Sequence, residues 1–297
     1  MKGGNFCRLR VAPIRQSAPA KVNLALHVTG RRPDGYHTLD SLVVFADVAD
    51  QIELRPASEL TLQVCGPFAE GVPTDENNLV LKAAHMLRAE HKLTAGAAIT
   101  LAKNLPHAAG IGGGSSDAAA TLHALARLWD VPCFAADAVQ ALLLGADVPV
   151  CMKAPQPARM SGIGEVLAPV PTLPDAAVVL VKPSVAVPTA QVFSSMTSID
   201  GADMMPVPAG QDFEGFCDWL RQQRNDMERA ACKIAPEIAE TLDQLRACPA
   251  VKVARMSGSG ATCFGLVPDL QAAAQVAQHI SNAAPDLWVA PAKILPA

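Results

Sequence analysis

Pro106-His107-Ala108-Ala109-Gly110-Ile111-Gly112-Gly113-Gly114-Ser115-Ser116-Asp117, running straight into residues 118–129, is the stretch on which the fold turns. Four of the five positions from 110 to 114 are glycine. Glycine lets a backbone turn tightly and bring its N–H groups close to a ligand. Leu122, Leu125 and Trp129 recur at helical spacing, so a helix is predicted there, with Ser and Asp at its cap or first turn. A helix N-terminus adds unpaired donors and partial positive charge, so loop and helix together make a phosphate cradle. It is not a Walker A loop, because no Gly-Lys-Ser/Thr follows; Ser115 also stands where a dinucleotide fingerprint needs its third glycine.

Outward from that loop the chain alternates strand and helix patterns. Towards the start, Val22, Leu24, Leu26 and Val28 share one strand face while Lys21, Asn23, Ala25 and His27 share the other. Pro33-Asp34-Gly35 supplies a turn, and residues 42–54 read as further strand. A helix is predicted over 78–92, a strand over 98–102, and a helix over 135–144 that Gly145 stops just before Asp147. The second half reads as strands 177–181 and 185–187, a polar loop, and helices 213–224 and 236–247. Strand 251–256, the turn Ser257-Gly258-Ser259-Gly260, strand 261–267, helix 270–283 and strand 287–295 follow. Such a succession predicts a two-layer α+β unit, with a seam near Pro169, Pro171 and Pro174. The expected divisions are a disordered leader 1–17, an N-terminal domain 18–168 and a C-terminal domain 169–297.

Composition narrows the function. Of 297 residues, 50% are hydrophobic and 18% charged, enough for a sizeable core. The net charge of −4 comes without a concentrated basic face, which argues against nucleic acid as a partner. No apolar run approaches the ~18 residues of a membrane span. The leader carries Lys2, Arg8, Arg10 and Arg15 but lacks the apolar core of a secretory signal, and a cytoplasmic location is expected. Eight cysteines contain no Cys-x-x-Cys pair and no zinc-like spacing with histidine, so they are read as reduced thiols.

The segment Pro106–Ser116 resembles the phosphate-binding motif of the GHMP kinase superfamily. Ala18-Pro19-Ala20-Lys21-Val22-Asn23-Leu24 is similar to its N-terminal motif and Ser257-Gly258-Ser259-Gly260-Ala261-Thr262 to its C-terminal glycine motif, in the expected order. Gly30 to Leu39, Leu144 to Pro149, Ser161 to Glu165, Pro188-Thr189 with Phe193, and Asn225-Asp226-Met227-Glu228 resemble one branch, the diphosphocytidyl-methylerythritol kinases. His107 stands where relatives often carry methionine and is read as incidental; Met160 and Ser161 lie in a stretch that varies among relatives and Met227 replaces a common leucine, both conservative for packing.

The resemblance covers residues 17–297 and implies an α+β fold with a ribosomal-protein-like N-terminal domain, a ferredoxin-like C-terminal domain and the active site between them. It implies ATP as co-substrate, magnesium with it, and a cytidine-diphosphate sugar alcohol as acceptor. Asp147 would be the base that takes the proton of the attacking hydroxyl, and Lys21 would hold it ionised. An ammonium beside a buried carboxylate opposes the pKa rise that burial causes. Tyr36 and Phe193 would sandwich the cytosine while His37 bonds its polar edge; Asn23 and Thr189 would also touch substrate. Ser116 and Asp117 fit either a metal-phosphate role or helix capping. Another GHMP kinase, of the homoserine or mevalonate type, and a non-catalytic nucleotide sensor are the alternatives.

Overall fold

The computed structural model describes residues 12–197 and 199–296. Two long antiparallel strands, β1 (Ile14–Arg31) and β2 (His37–Ala57), form the spine of a six-stranded sheet. The strands β3 (Leu60–Cys65), β4 (Gly96–Ala102), β5 (Ala158–Gly162) and β6 (Val166–Pro169) complete it, in the order β3-β4-β2-β5-β6 with β1 on β2. Between these strands run α1 (Leu79–Glu90), α2 (Gly113–Trp129), α3 (Val139–Leu144) and the single turn α4 (Val148–Cys151).

A second, antiparallel sheet contains β7 (Ala177–Lys182), β8 (Val253–Met256), β9 (Cys263–Val267) and β10 (Trp288–Lys293), ordered β10-β7-β9-β8. Between β7 and β8 lie α5 (Thr189–Ser194), α6 (Phe213–Arg221), α7 (Glu228–Ile234) and α8 (Pro236–Arg246); α9 (Leu270–Ala283) joins β9 to β10. With α8 and α9 as the packed helices, this is the β-α-β-β-α-β succession of a ferredoxin-like unit.

Alternation along the strands decides the layering. In β2, Val43, Phe45, Ile52 and Leu54 face α1 and α2, whereas Leu42, Val44 and Ala46 face the second sheet. In β7 and β9, Val178, Leu180, Phe264 and Leu266 meet them, and Val179, Val181, Cys263 and Val267 turn to α8 and α9. Both faces of both sheets are therefore covered: the second half is the expected two-layer α+β unit, and the whole stacks as helices, sheet, sheet, helices. The sheets are also sewn along their edges. Leu26 N–H donates to Arg224 O and Asp226 N–H to Leu26 O, each at 2.9 Å, and Leu295 N–H donates to Phe45 O at 2.7 Å.

Several expectations are corrected. Residues 14–17 of the leader expected to be disordered belong to β1, and residues 1–11 of it lie outside the described residues. Both faces of β1 are buried, and Lys21, Asn23 and His27 on its polar side are 3%, 0% and 2% exposed. Helix 135–144 shrinks to α3, and residues 185–187 form no strand. The polar loop after residue 188 holds α5, whose six residues are too short to show a helical period. No helix among the described residues is long and apolar enough to cross a membrane.

Candidate active site

The glycine loop is held from two sides. Lys21 N–H donates to Ile111 O at 2.9 Å, tying the loop to β1. On the other side Ser257 Oγ donates to Gly110 O at 3.1 Å while accepting from Asn23 N–H at 3.1 Å, and Thr262 N–H donates to Ala109 O at 3.1 Å. One buried hydroxyl thus joins the three glycine-rich or strand motifs singled out in the sequence. The closeness explains the glycines. Gly110 has φ +73° and a Cβ there would stand 2.6 Å from Ser257 O; Gly112 has φ +63° and a Cβ would stand 3.1 Å from Lys21 Cβ. Helix α2 begins at Gly113, inside the glycine run, with no side-chain cap. Its first N–H groups are left for a ligand.

The residues expected to cap that helix turn inward instead. Ser116 Oγ donates to Pro19 O at 2.7 Å, and Asp117 Oδ2 accepts from Lys103 Nζ at 2.7 Å. Lys103 also pairs with Asp50, whose Oδ1 takes the N–H groups of Asn104 and Leu105 at 2.5 and 2.8 Å. All three charged side chains are at most 4% exposed. Burial works against the Lys103 charge, but Asp117 and Asp50 outweigh it and hold the ammonium above the usual lysine value. For Asp117, burial pushes the carboxyl up, Lys103 opposes it, and Asp50 adds to the rise. The cluster anchors the entry to the loop and the first turn after it. Sequence reading missed Asp50 and Lys103, since a strand-end aspartate or lysine carries no mark of burial.

Across the cradle, Lys21 Nζ lies 2.8 Å from Asp147 Oδ2, with the ammonium side chain 4% exposed and the carboxylate 32%. Asp147 precedes α4 without capping it through its side chain, which leaves the carboxylate for Lys21. A Cβ on Gly145 would stand 3.8 Å from Ser115 Oγ, so the α3–α4 turn and the start of α2 meet there. Behind them Cys151 is buried; burial, then Asp147, push its thiol up and keep it neutral.

Thr189 Oγ1 lies 2.7 Å from Ser259 Oγ, which fastens the start of α5 to the C-terminal glycine turn. One turn along α5, Phe193 stacks on His37 with ring centroids 4.3 Å apart and planes 3° from parallel. Burial, then the charge of Arg31, lower the pKa of His37. Tyr36, beside it at the β1–β2 turn, is 61% exposed, and the structure brings His37 rather than Tyr36 onto Phe193. Asn23 is fully buried; its Nδ2 donates to Ser41 Oγ at 2.8 Å and its Oδ1 has no partner among the described residues. Residues 106–109 line the loop's entry with Ala108 at φ +51°, and His107 makes no part of this network.

The Asn225–Glu228 motif serves the same assembly. Asn225 Nδ2 donates to Met256 O and Gly258 O at 2.7 and 2.9 Å, and Glu228 Oε2 accepts from Met256 N–H at 2.9 Å. It holds the C-terminal glycine turn in place.

Residues 78–154 match the family described as GHMP kinases N terminal domain, and residues 208–286 match GHMP kinases C terminal. A 4-diphosphocytidyl-2-C-methyl-D-erythritol kinase of Jannaschia sp. is 55% identical over 87% of this chain and 90% of its own. The protein of that name in Ruegeria pomeroyi is 51% identical over 95% of this chain and 99% of its own. Among solved structures, a 4-(cytidine 5'-diphospho)-2C-methyl-D-erythritol kinase superposes with TM-score 0.76 at 32% identity, over 95% of this chain and 99% of that one. The homoserine kinase of Cytophaga hutchinsonii shares the fold at TM-score 0.67 and 15% identity, over 99% and 98% of the two chains.

Proposed function

This chain belongs to the GHMP kinases, and from that premise we infer that it transfers the γ-phosphate of ATP to the 2-hydroxyl of 4-diphosphocytidyl-2-C-methyl-D-erythritol, a step of non-mevalonate isoprenoid synthesis. The observation that carries the chemistry is the Lys21–Asp147 pair at the mouth of the glycine cradle. The substrate follows from the near-full-length relatives of that name, and the His37–Phe193 pair supports it by offering aromatic faces to a base.

In this reading Asp147 accepts the hydroxyl proton as the substrate oxygen bonds to the γ-phosphorus. The bond from that phosphorus to the β,γ-bridging oxygen breaks, and ADP leaves. Lys21 keeps Asp147 anionic and orients the nucleophile. The loop N–H groups and the start of α2 hold phosphate oxygens, so positioning and charge stabilisation supply most of the acceleration. A general base adds roughly 10²–10⁴-fold. Asn23 Oδ1, buried and unpaired, supports a role for Asn23 in receiving a substrate hydroxyl. Thr189, at the exposed start of α5, supports the substrate contact assigned to it.

Magnesium accompanies ATP in such chemistry and would neutralise phosphate charge. It typically takes one or two protein oxygens, with phosphates and water supplying the rest. Among the described residues no cluster of three or more His, Cys, Asp or Glu stands at metal distance, which fits a phosphate-held ion. Ser115, at the start of α2, is the side-chain oxygen that would serve it, because Ser116 and Asp117 are spent on Pro19 and Lys103 and Asp147 is paired with Lys21. The division into an ATP-binding half 18–168 and a second half 169–297 falls close to the connection between β6 and β7, cutting one residue from the end of β6.

The test is ATP turnover by purified protein with the cytidyl alcohol, with mevalonate and homoserine as controls. Turnover confined to the cytidyl compound is expected; turnover with a control alcohol alone would overturn the substrate assignment.

A further inference from the structure

We propose that the cleft between the end of α5 and α7 is a second anion site, separate from the nucleotide cradle, which takes a small ligand bearing a phosphate or diphosphate group. The cleft has a volume of about 170 Å³ and its polar lining is Ser195, Thr197, Arg224, Asp226, Arg229 and Lys233. Three of those six side chains are cationic and only one is anionic.

That one carboxylate is already engaged. Asp226 Oδ1 accepts from Arg224 Nε at 2.6 Å and Oδ2 from Val28 N–H at 2.8 Å. Arg224 spends a second group on Ala202 O at 2.6 Å. Arg224 and Asp226 thus cancel, and the remaining charge of the cleft is that of Arg229 and Lys233. Neither makes an ion pair among the described residues, although the neighbouring Glu228 and Asp226 have partners in Arg246 and Arg224. The two sit four residues apart on α7, an arrangement of like charges that destabilises a helix left to itself. An anion seated between them converts that repulsion into two charge-assisted contacts, with the hydroxyls of Ser195 and Thr197 on the opposite wall as neutral donors. Two separate cations and two hydroxyls suit a group with more than two charged oxygens, which a phosphate or diphosphate offers and a carboxylate does not.

The site shares no residue with the cradle or with the His37–Phe193 pair, although Ser195 follows α5 directly. It stands or falls independently of the kinase reading, because the test measures binding and not turnover.

The experiment is calorimetric titration of the full chain with inorganic pyrophosphate and, separately, inorganic phosphate at constant ionic strength. The protein is first saturated with a non-hydrolysable ATP analogue and cytidine diphosphate. One binding site is expected under those conditions. Arg229→Ala/Lys233→Ala weakens it at least about tenfold, while Arg229→Lys/Lys233→Arg keeps it. Pyrophosphate binding tighter than phosphate marks a diphosphate ligand, and equal binding a single phosphoryl group. Absence of binding overturns the proposal, as does affinity unchanged by the double alanine variant. Binding seen only without cytidine diphosphate also overturns it, since the cleft would then belong to the acceptor site.

Discussion

The imidazole of His37 lies flat on the ring of Phe193, 4.3 Å between centroids, across a gap that joins the β1–β2 turn to α5. Two rings at that separation leave no room for a third between them. A pyrimidine must displace His37 or use an outer face of the stack, and Tyr36, exposed beside it, is free to close over the base. Base-on-aromatic stacking is worth ~1–3 kcal/mol. Phe193→Ala is expected to raise KM for the cytidyl substrate roughly 10- to 100-fold with KM for ATP little changed. Steady-state kinetics with each substrate varied in turn checks it; equal effects on both would remove Phe193 from the acceptor site.

Asp147→Asn keeps the shape of the site and removes its base. A fall in kcat of roughly 10²–10⁴-fold is expected, with nucleotide affinity close to wild type. Lys21→Met should act in the same direction. Single-turnover rates together with equilibrium binding of an ATP analogue separate loss of chemistry from loss of binding.

Ser257→Ala removes the hydroxyl that links Asn23 N–H to Gly110 O. Leaving a buried donor unpaired costs about 1–3 kcal/mol, which urea unfolding would register. Because the hydroxyl pins the glycine loop, KM for ATP is also expected to rise. Gly110→Ala should be worse, since the new Cβ would meet Ser257 O in a left-handed backbone conformation.

Lys103→Met strands two buried carboxylates, and breaking such a cluster from one side typically costs ~3–5 kcal/mol. Adding Asp50→Asn and Asp117→Asn should recover part of that loss in denaturant unfolding. A triple variant no more stable than the single one would show that the charges do not act together.

His27 predicts a pH dependence. Its Nδ1 lies 3.1 Å from Ala202 O and its Nε2 accepts from Arg224 N–H at 3.2 Å, an arrangement that requires the neutral ring. Burial, then the Arg224 charge, depress its pKa below 6.5. The unfolded chain therefore binds a proton at a higher pH than the folded one. Its contribution to stability is fully present above pH 6.5 and is lost as pH falls through the folded value. The wild type should lose stability over that window relative to His27→Gln, as thermal unfolding at several pH values would show; parallel curves would sink the idea.

What was legible in the sequence follows the physics of each feature. The glycine loop could be read because backbone φ and close approach leave a mark on residue choice at Gly110 and Gly112. Helix α9 could be read over its whole length, 270–283, and the structure caps it with Asp269 and buries the stripe Ala273, Val276, Ala277 and Ile280. Burial of both faces of β1 could not, because the second sheet that covers Val22 and Leu24 lies more than 150 residues downstream. A separation of 234 residues likewise hid Ser257 as a latch on Asn23, and one of 53 the pairing of Lys103 with Asp50. Strand β3 alternates Leu60, Leu62 and Val64 plainly enough, but its parallel partner β4 follows only after α1.

Residues 288–295 run along the edge of the second sheet and then reach back to bond Phe45 in the first. A nascent chain still missing them has made nearly every catalytic and binding residue discussed above, yet the strand beneath them is open along one side. Protein truncated before Trp288 should be found with chaperones and proteases, not as a weakened enzyme.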